Sequence, residues 1–449
     1  MNIQEAIDFV TTRVNRDNPK WKKNLLSLTV NYINFVSVIA LIPLLLFPHT
    51  HATIICYYVF FASYLIEILT DKKWENFRFD KIKLYYLVMA MFFLLAIIYL
   101  PFEKTNTYTS IILERRLALI GFAVVGFFGV NALYKLNYFL YAFILTSVTA
   151  ILYLLFYRIG IYELITNPEP FKLFAEKRIL YVGSHMKVNL YLIISIIGIW
   201  HILRNNWKNR SRWIRISLIT ALAIILTTLL ISEGRAGFII GVLFSLIFIL
   251  IETYTRWKKA GIAYAILLPI LFAGIISQQQ RLAEDLVSND PRTFLWKSAW
   301  EVIKERPLLG HGVCDAQVTF DEKKYLYQTN EFQEYSVLME QSRNEKYQDS
   351  HNQYLQVMME FGIFGLIFLL FLFIYPIFAV GKNKRLFNIF IVSLCMFLSV
   401  FDMYITRLYT PLFGILTLMM LVAKSDEKTK DEKSLLCHEK NMCHNNGKK

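Results

Sequence analysis

Apolar residues occur along this chain in long unbroken runs, not with the alternation typical of a half-buried strand. A helix that crosses the hydrocarbon core of a bilayer needs about 20 predominantly apolar residues. Twelve runs approach or reach that length, at residues 25–47, 52–69, 84–100, 111–130, 138–157, 188–203, 214–231, 236–254, 262–276, 357–380, 387–401 and 408–423. The pattern predicts an all-α polytopic membrane protein with about 12 transmembrane helices.

The polar segments between the runs give the organisation of the chain. Two of them are long: residues 158–187 and, longer still, residues 277–352 between the ninth and tenth runs. Long loops between spans usually carry function. The predicted parts are an N-terminal segment 1–24, helices 1–9 in 25–276, the large and partly helical loop 277–352, helices 10–12 in 353–423 and a charged, disordered tail 424–449.

Lysine and arginine predict the orientation. The segments on the side of the N-terminus carry 29 Lys and Arg against 11 Asp and Glu, and those on the other side carry 17 against 19. Cytoplasmic loops are the richer in Lys and Arg, so both termini are expected in the cytoplasm and the large loop outside. The net charge of +14 therefore orients the chain and does not indicate a nucleic-acid partner. Composition agrees, because 56% hydrophobic residues and a mean hydropathy of +0.42 do not suit a water-facing surface.

The large loop has a structure of its own. Asp290 can cap a helix with Pro291 at its first position, and Pro307 would end it before the turn Gly310-His311-Gly312. A stripe at helical spacing consists of Leu295, Trp296, Ala299, Trp300 and Ile303. The helix is expected either to lie in the lipid headgroup region or to cap the helix bundle.

Asp349-Ser350-His351-Asn352-Gln353 leads from this loop into the tenth run. Asp349 or Ser350 can cap that helix, and Ser350 with Gln353 would form a capping box. His351 would then lie in the first turn, where the helix dipole disfavours an imidazolium. His351 is therefore a candidate general base.

Charged residues inside the runs are costly enough to indicate functional positions. Arg115 and Arg116 lie about one turn inside the outer end of the fourth run, and only one of two adjacent residues can face a given cavity squarely. Arg116 is the favoured candidate, with snorkelling to the interface as the alternative. Glu67 is expected at the inner interface, and Glu360 lies roughly 13 Å along its helix from His351, too far to orient it.

Five motifs together resemble the O-antigen ligase and polymerase superfamily. They are Ser232-Glu233-Gly234-Arg235-Ala236-Gly237, Arg292-Thr293-Phe294-Leu295-Trp296-Lys297-Ser298-Ala299, Pro307-Leu308-Leu309-Gly310-His311-Gly312, His351-Asn352-Gln353-Tyr354-Leu355 and Glu360-Phe361-Gly362-Ile363-Phe364-Gly365. The patterned stretch covers about 197–373. Each motif alone is weak, but their order, spacing and shared outer location make the match fairly specific.

The resemblance implies transfer of a glycan from undecaprenyl pyrophosphate to an acceptor hydroxyl at the periplasmic face of a bacterial inner membrane, without nucleotide sugar, cofactor or essential metal. His351 matches the catalytic histidine of the family, and Arg235 and Arg292 match the basic residues that hold the pyrophosphate. Arg116 and Arg115 are added on physical grounds. The possible supporting residues are Asn352, His311, His185 and Arg407.

The acceptor stays open. Ligation of O-antigen to lipid A-core is favoured over polymerisation onto a growing glycan, and a protein acceptor of an oligosaccharyltransferase is the third alternative. A glycolipid flippase or transporter would also explain twelve spans, but it would not need a large outer loop with a histidine at its edge. A zinc site in the tail, at Cys437-His438 and Cys443-His444, is a further minor alternative.

Overall fold

The computed structural model describes residues 21–47, 50–75, 77–105, 108–166, 185–207, 210–231, 235–277, 291–328, 349–405 and 409–424. Within these ranges the chain is helical, with one isolated bridge between Lys135 and Lys424. Several predicted features lie outside the described residues, among them the Cys/His tail, Asp290 and Arg407. The division of the chain into its five predicted parts therefore stays a prediction.

The helices within these ranges are numbered in chain order. They are α1 (Trp21–Leu46), α2 (Thr50–Asp71), α3 (Lys81–Tyr99), α4 (Thr109–Phe128), α5 (Leu136–Tyr153), α6 (Ile161–Thr166), α7 (His185–Asn206), α8 (Arg212–Ile231), α9 (Arg235–Arg256), α10 (Lys258–Ser277), α11 (Pro291–Glu305), α12 (Val313–Gln328), α13 (Gln353–Ala379), α14 (Lys382–Leu398) and α15 (Thr410–Thr417). A 3₁₀ turn, Leu100–Phe102, follows α3, and π-helical turns, Leu154–Ile159 and Leu418–Val422, extend α5 and α15.

Eight helices of the described chain are long and apolar enough to cross a membrane. They are α1, α2, α3, α5, α7, α8, α9 and α13. The other four predicted runs also fall on helices, but α4 carries the charged triplet Glu114-Arg115-Arg116 and α14 has only 17 residues. The all-helical, polytopic class is confirmed, and the count of twelve spans stays a prediction.

Contacts between distant segments define two ends of the bundle. At one end the Leu136 N–H donates to the Lys424 carbonyl, and Ser27 donates to Asp71. At the other end the Gln353 N–H donates to the Ser399 carbonyl. We call these two ends of the bundle the inner and the outer end, after the predicted orientation.

Helices α11 and α12 form a hairpin, residues 291–328, that packs on the outer end of α13. Leu295, Ala299 and Ile303 of the predicted stripe are buried against Phe320 of α12 and Met359 of α13. Trp300 departs from the stripe, because it is 49% exposed. The buried stripe favours the alternative in which this helix caps the bundle.

The turn after α11 fills a break in α13. Gly362 has φ 62° and ψ −154°, which interrupts the helix. The Ile363 N–H therefore donates to the Pro307 carbonyl at 2.9 Å, while the released carbonyls of Met359 and Glu360 accept the N–H groups of His311 and Gly312, both at 2.9 Å. The two glycine-containing segments, residues 307–312 and 359–365, thus bind each other through these three hydrogen bonds, and we call this contact the joint.

Close backbone contact explains two of the glycines in this joint. A Cβ on Gly310 would lie 2.5 Å from the Glu360 carbonyl, and one on Gly362 would lie 2.2 Å from the Leu308 carbonyl oxygen. Both residues also have positive φ, a conformation that glycine adopts without steric cost. Any side chain at either position would force the hairpin away from α13.

Two carboxylates clasp the other side of the hairpin. The Glu103 side chain accepts the Cys314 N–H at 3.0 Å, at the start of α12, and in return Asp315 accepts the Lys104 and Thr105 N–H groups, both at 3.0 Å. A carboxylate at a helix N-terminus is favoured by the unsatisfied N–H groups there. Burial raises the pKa of Glu103 even so. The hairpin is therefore held to the bundle on two sides.

Candidate active site

The start of α13 differs from the predicted cap. Asn352, and not Asp349 or Ser350, caps the helix, and its side-chain oxygen accepts the N–H groups of Tyr354 and Leu355. The predicted capping box is wrong, because the Ser350 hydroxyl instead donates to the Asn352 carbonyl at 3.0 Å. His351 consequently lies before the cap, with φ +48°, and not in the first turn.

Gln353 has a different role from the one predicted. It is fully buried and holds both ends of the segment 399–405: its N–H donates to the Ser399 carbonyl at 2.8 Å, and its side-chain oxygen accepts the Ile405 N–H at 2.9 Å. This segment connects α14 to α15. Gln353 thereby places Asp402 next to His351.

Two buried carboxylates face one nitrogen of His351. Nδ1 lies 3.6 Å from Oδ1 of Asp349 and 3.9 Å from Oδ1 of Asp402, while the imidazole side chain is 34% exposed. The backbone N–H of His351 also donates to Asp349 Oδ1 at 3.1 Å. Both side-chain distances exceed a hydrogen bond, so the carboxylates act on Nδ1 through their charge. Nδ1 is therefore the ring nitrogen that lies next to the two carboxylates.

Arg292 lies beside the same segment. Its guanidinium carbon is 5.7 Å from the centre of the Phe401 ring, and Trp296 packs on that ring with 6.4 Å between centroids. The Tyr404 hydroxyl is buried without a hydrogen-bond partner among the described residues. Burial raises the pKa of Tyr404 well above 10, with the charge of Asp402 adding to the rise and Arg292 opposing it. Tyr404 therefore stays a neutral hydrogen-bond donor.

Arg116 faces the interior of the bundle, as predicted, but it has an unpredicted partner. The guanidinium is 1% exposed, and its Nη2 lies 2.7 Å from both carboxylate oxygens of the fully buried Glu360. Gln356 donates to Glu360 from the preceding turn at 2.9 Å, and the Phe361 ring lies 5.8 Å from the guanidinium carbon. The backbone carbonyl of Glu360 also accepts the N–H of Gly312 in the hairpin, so Glu360 belongs both to the ion pair and to the joint.

The remaining sequence candidates are dispersed. His311 is nearly buried, with Nε2 3.1 Å from the Val302 carbonyl at the end of α11, which makes it part of the joint. Arg115 is half-buried on α4. Arg235 and His185 begin α9 and α7, but their side chains lie outside the described part of the chain.

The starts of those two helices are neighbours. A Cβ on Gly237 of α9 would lie 2.4 Å from the Asn189 side chain of α7. The structure therefore brings the backbones of Arg235 and His185 together in one part of the outer end. It brings a separate set of residues together around His351, and we call this set the contact group: Arg292, Asp349, His351, Asp402 and Tyr404.

Sequence reasoning missed three members of the contact group. The sequence pattern predicts Asp349 only as a helix cap, although a carboxylate two residues before His351 also indicates a candidate partner for the imidazole. Asp402 approaches the histidine from about 50 residues further along the chain, and Tyr404 lies two positions beyond Asp402. Nothing local in the sequence indicates that approach.

A known protein family matches part of this chain. Residues 220–370 match the family model described as O-antigen ligase. No curated protein and no solved structure matches the chain. The matched stretch runs from α8 through the hairpin into α13, and it contains His351, Arg292 and the Gly310–Gly362 joint. This match, over about a third of the chain, supports membership of the O-antigen ligase and polymerase superfamily.

Proposed function

We propose that this protein transfers a glycan from an undecaprenyl-pyrophosphate carrier to an acceptor hydroxyl at the periplasmic face of a bacterial inner membrane. The acceptor that we favour is lipid A-core, which makes the protein an O-antigen ligase of lipopolysaccharide biosynthesis. The observation that carries the proposal is the half-buried His351 next to two buried carboxylates, within the part of the chain that matches the O-antigen ligase family model.

His351 supplies the base. Its Nε2 accepts the proton of the acceptor hydroxyl, whose oxygen forms the new bond to the anomeric carbon as undecaprenyl pyrophosphate departs. Asp349 and Asp402, which lie 3.6 and 3.9 Å from Nδ1, stabilise the imidazolium that results through their charge. The second component that the reaction needs is positive charge near the pyrophosphate, which leaves as an anion.

Arginine is suited to that second component, because a guanidinium stays charged and binds phosphate oxygens in pairs. We assign this role to Arg292, which lies beside Phe401 in the contact group, and to Arg235, by resemblance. For Arg116 a positioning role is favoured, because Glu360 already engages its guanidinium. Arg115 stays a prediction as a pyrophosphate-binding residue, and His185, Asn352 and Arg407 stay predictions as supporting residues.

A polymerase or a protein oligosaccharyltransferase would use the same donor and base, so the acceptor is tested in cells. We expect deletion of the gene to leave long unattached glycan chains on the lipid carrier. Single repeats on lipid A-core would instead identify a lost polymerase. Unchanged surface glycan, with unchanged lipid-linked precursor, would refute glycan transfer altogether.

Arg292→Lys is expected to weaken donor use, because a point charge replaces the two-pronged guanidinium. We expect kcat/KM for the lipid-linked donor to fall by about tenfold, equivalent to about 1.4 kcal/mol and within the range of one charge-assisted hydrogen bond. The measurement is transfer by the purified protein in detergent or nanodiscs.

Arg306→Lys is the matched control, since Arg306 lies on the same hairpin and is exposed. Equal kcat/KM in Arg292→Lys and the wild type would remove Arg292 from the pyrophosphate site.

A further inference from the structure

A polar cavity lies at the inner end of the bundle, opposite the candidate active site. Its volume is about 360 Å³. The ends of α1, α2 and α3 and the segment 128–133 after α4 form its walls. Because the apolar spans of α1, α2 and α3 all end here, the cavity lies at the level where headgroups of the membrane lipids are expected.

One ion pair in the cavity is complete in itself. Glu67 is fully buried and lies 2.6 Å from Nζ of Lys73, and Asn131 donates to it at 3.4 Å. Lys73 also donates to the Gly129 carbonyl at 2.6 Å, and burial lowers the pKa of this lysine. Glu67 is thus engaged inside the bundle near the inner end of α2, and its predicted position at the inner interface stays a prediction. The pairing also means that neither charge requires a ligand.

The remaining polar atoms of the cavity include one buried hydrogen-bond acceptor that lacks a donor. Asn31 is 5% exposed, and its Oδ1 is buried without a hydrogen-bond partner among the described residues. Beside it, the carboxylate of the exposed Asp71 accepts the Ser27 hydroxyl at 2.5 Å and the Asn31 amide at 3.4 Å. A buried acceptor that lacks a donor costs free energy. The site therefore favours a ligand with several N–H donors and a positive charge.

A positive charge that takes no part in the Glu67–Lys73 ion pair lies at the edge of the cavity. Lys83 is part of the wall, and its Nζ is held 4.0 Å above the Phe77 ring while it donates to the Arg78 carbonyl. A negative group of the ligand would lie near this ammonium, and its positive group near Asp71. The two charges suit a zwitterion better than a simple cation.

We propose that this cavity binds the headgroup of an aminophospholipid of the inner leaflet, with the primary ammonium at Asp71 and Asn31 Oδ1 and the phosphate near Lys83. Phosphatidylethanolamine has this chemistry. Phosphatidylcholine has the same charges, but its quaternary ammonium has no N–H donor. The two lipids therefore differ in the N–H donors that Asn31 Oδ1 and Asp71 would accept. The site is independent of the glycan-transfer proposal.

Native mass spectrometry of the purified full-length protein tests the site, with phosphatidylethanolamine, phosphatidylcholine and phosphatidylglycerol added separately. We expect phosphatidylethanolamine to bind about tenfold more tightly than phosphatidylcholine, the effect of one charge-assisted hydrogen bond. Asp71→Asn should reduce phosphatidylethanolamine binding to the phosphatidylcholine level.

Glu75→Gln is the matched control, because Glu75 lies four residues further along, is exposed and pairs with Lys72 outside the cavity. It should bind phosphatidylethanolamine as the wild type does. Equal binding of the two lipids by the wild type, or undiminished binding by Asp71→Asn, would overturn the proposal. Binding of soluble glycerophosphoethanolamine as tight as that of the lipid would also overturn it, in favour of a soluble amine.

Discussion

His351→Asn is expected to lower glycan transfer by about 10²–10⁴-fold, the contribution of a general base. Asparagine removes the proton-accepting ring nitrogen but tolerates positive φ better than alanine does, and His351 has φ +48°. The variant therefore isolates the chemistry from the backbone strain. The measurements are the rate of transfer by the purified protein and the amount of lipid-linked precursor in cells that carry only the variant.

His51→Asn is the control for this experiment, since His51 is an exposed histidine at the predicted outer end of α2. It should transfer glycan at the wild-type rate. We also expect Asp402→Asn to retain part of the activity, because Asp349 still faces Nδ1. If His351→Asn accumulates normally in the membrane and transfers glycan normally, the base is another residue.

The sequence was informative wherever structure depends on local pattern. Long apolar runs predicted twelve helices, and each run falls on a helix. Pro291 and Pro307 bracket α11, because proline suits the first turn of a helix and cannot continue one. The orientation in the membrane also follows from local composition, through the distribution of Lys and Arg, and stays a prediction.

Caps and partners were less predictable, because they depend on competition and on tertiary contact. Asp349 and Ser350 are the caps that the sequence predicts for α13, but Asn352 caps the helix, while the Ser350 hydroxyl donates to the Asn352 carbonyl. Asp402 approaches His351 only because Gln353 holds the segment 399–405. No periodicity in a single sequence reports such a contact.

The pairing of Arg116 with Glu360 illustrates the same limit. Each residue is recognisable in the sequence as an intramembrane charge, and Glu360 is predicted to lie too far along its helix to orient His351. The sequence does not predict that α4 and α13 place the two charges 2.7 Å apart, because the residues are 244 positions apart in the chain. Charge complementarity between spans suggests a pair only when the neighbouring helices are known.

Arg116→Met is expected to destabilise the protein strongly, because it leaves Glu360 buried without its cation. Breaking a buried ion pair costs about 3–5 kcal/mol, whereas replacing both partners with neutral residues is often close to neutral. We therefore expect Arg116→Met and Glu360→Gln each to lower the thermal midpoint, and the double variant to recover most of the loss. Thermal unfolding of the purified variants measures the coupling.

Activity of the double variant separates the two roles of Arg116. If the pair positions the hairpin that carries Arg292, then Arg116→Met with Glu360→Gln should recover glycan transfer together with stability, since the backbone carbonyl of residue 360 still receives Gly312. If Arg116 binds pyrophosphate, the double variant will be stable but inactive, with a raised KM for the donor. Glu114→Gln, exposed on the same turn of α4, should alter neither property. A stable, inactive double variant would therefore move Arg116 from the positioning role into the pyrophosphate site.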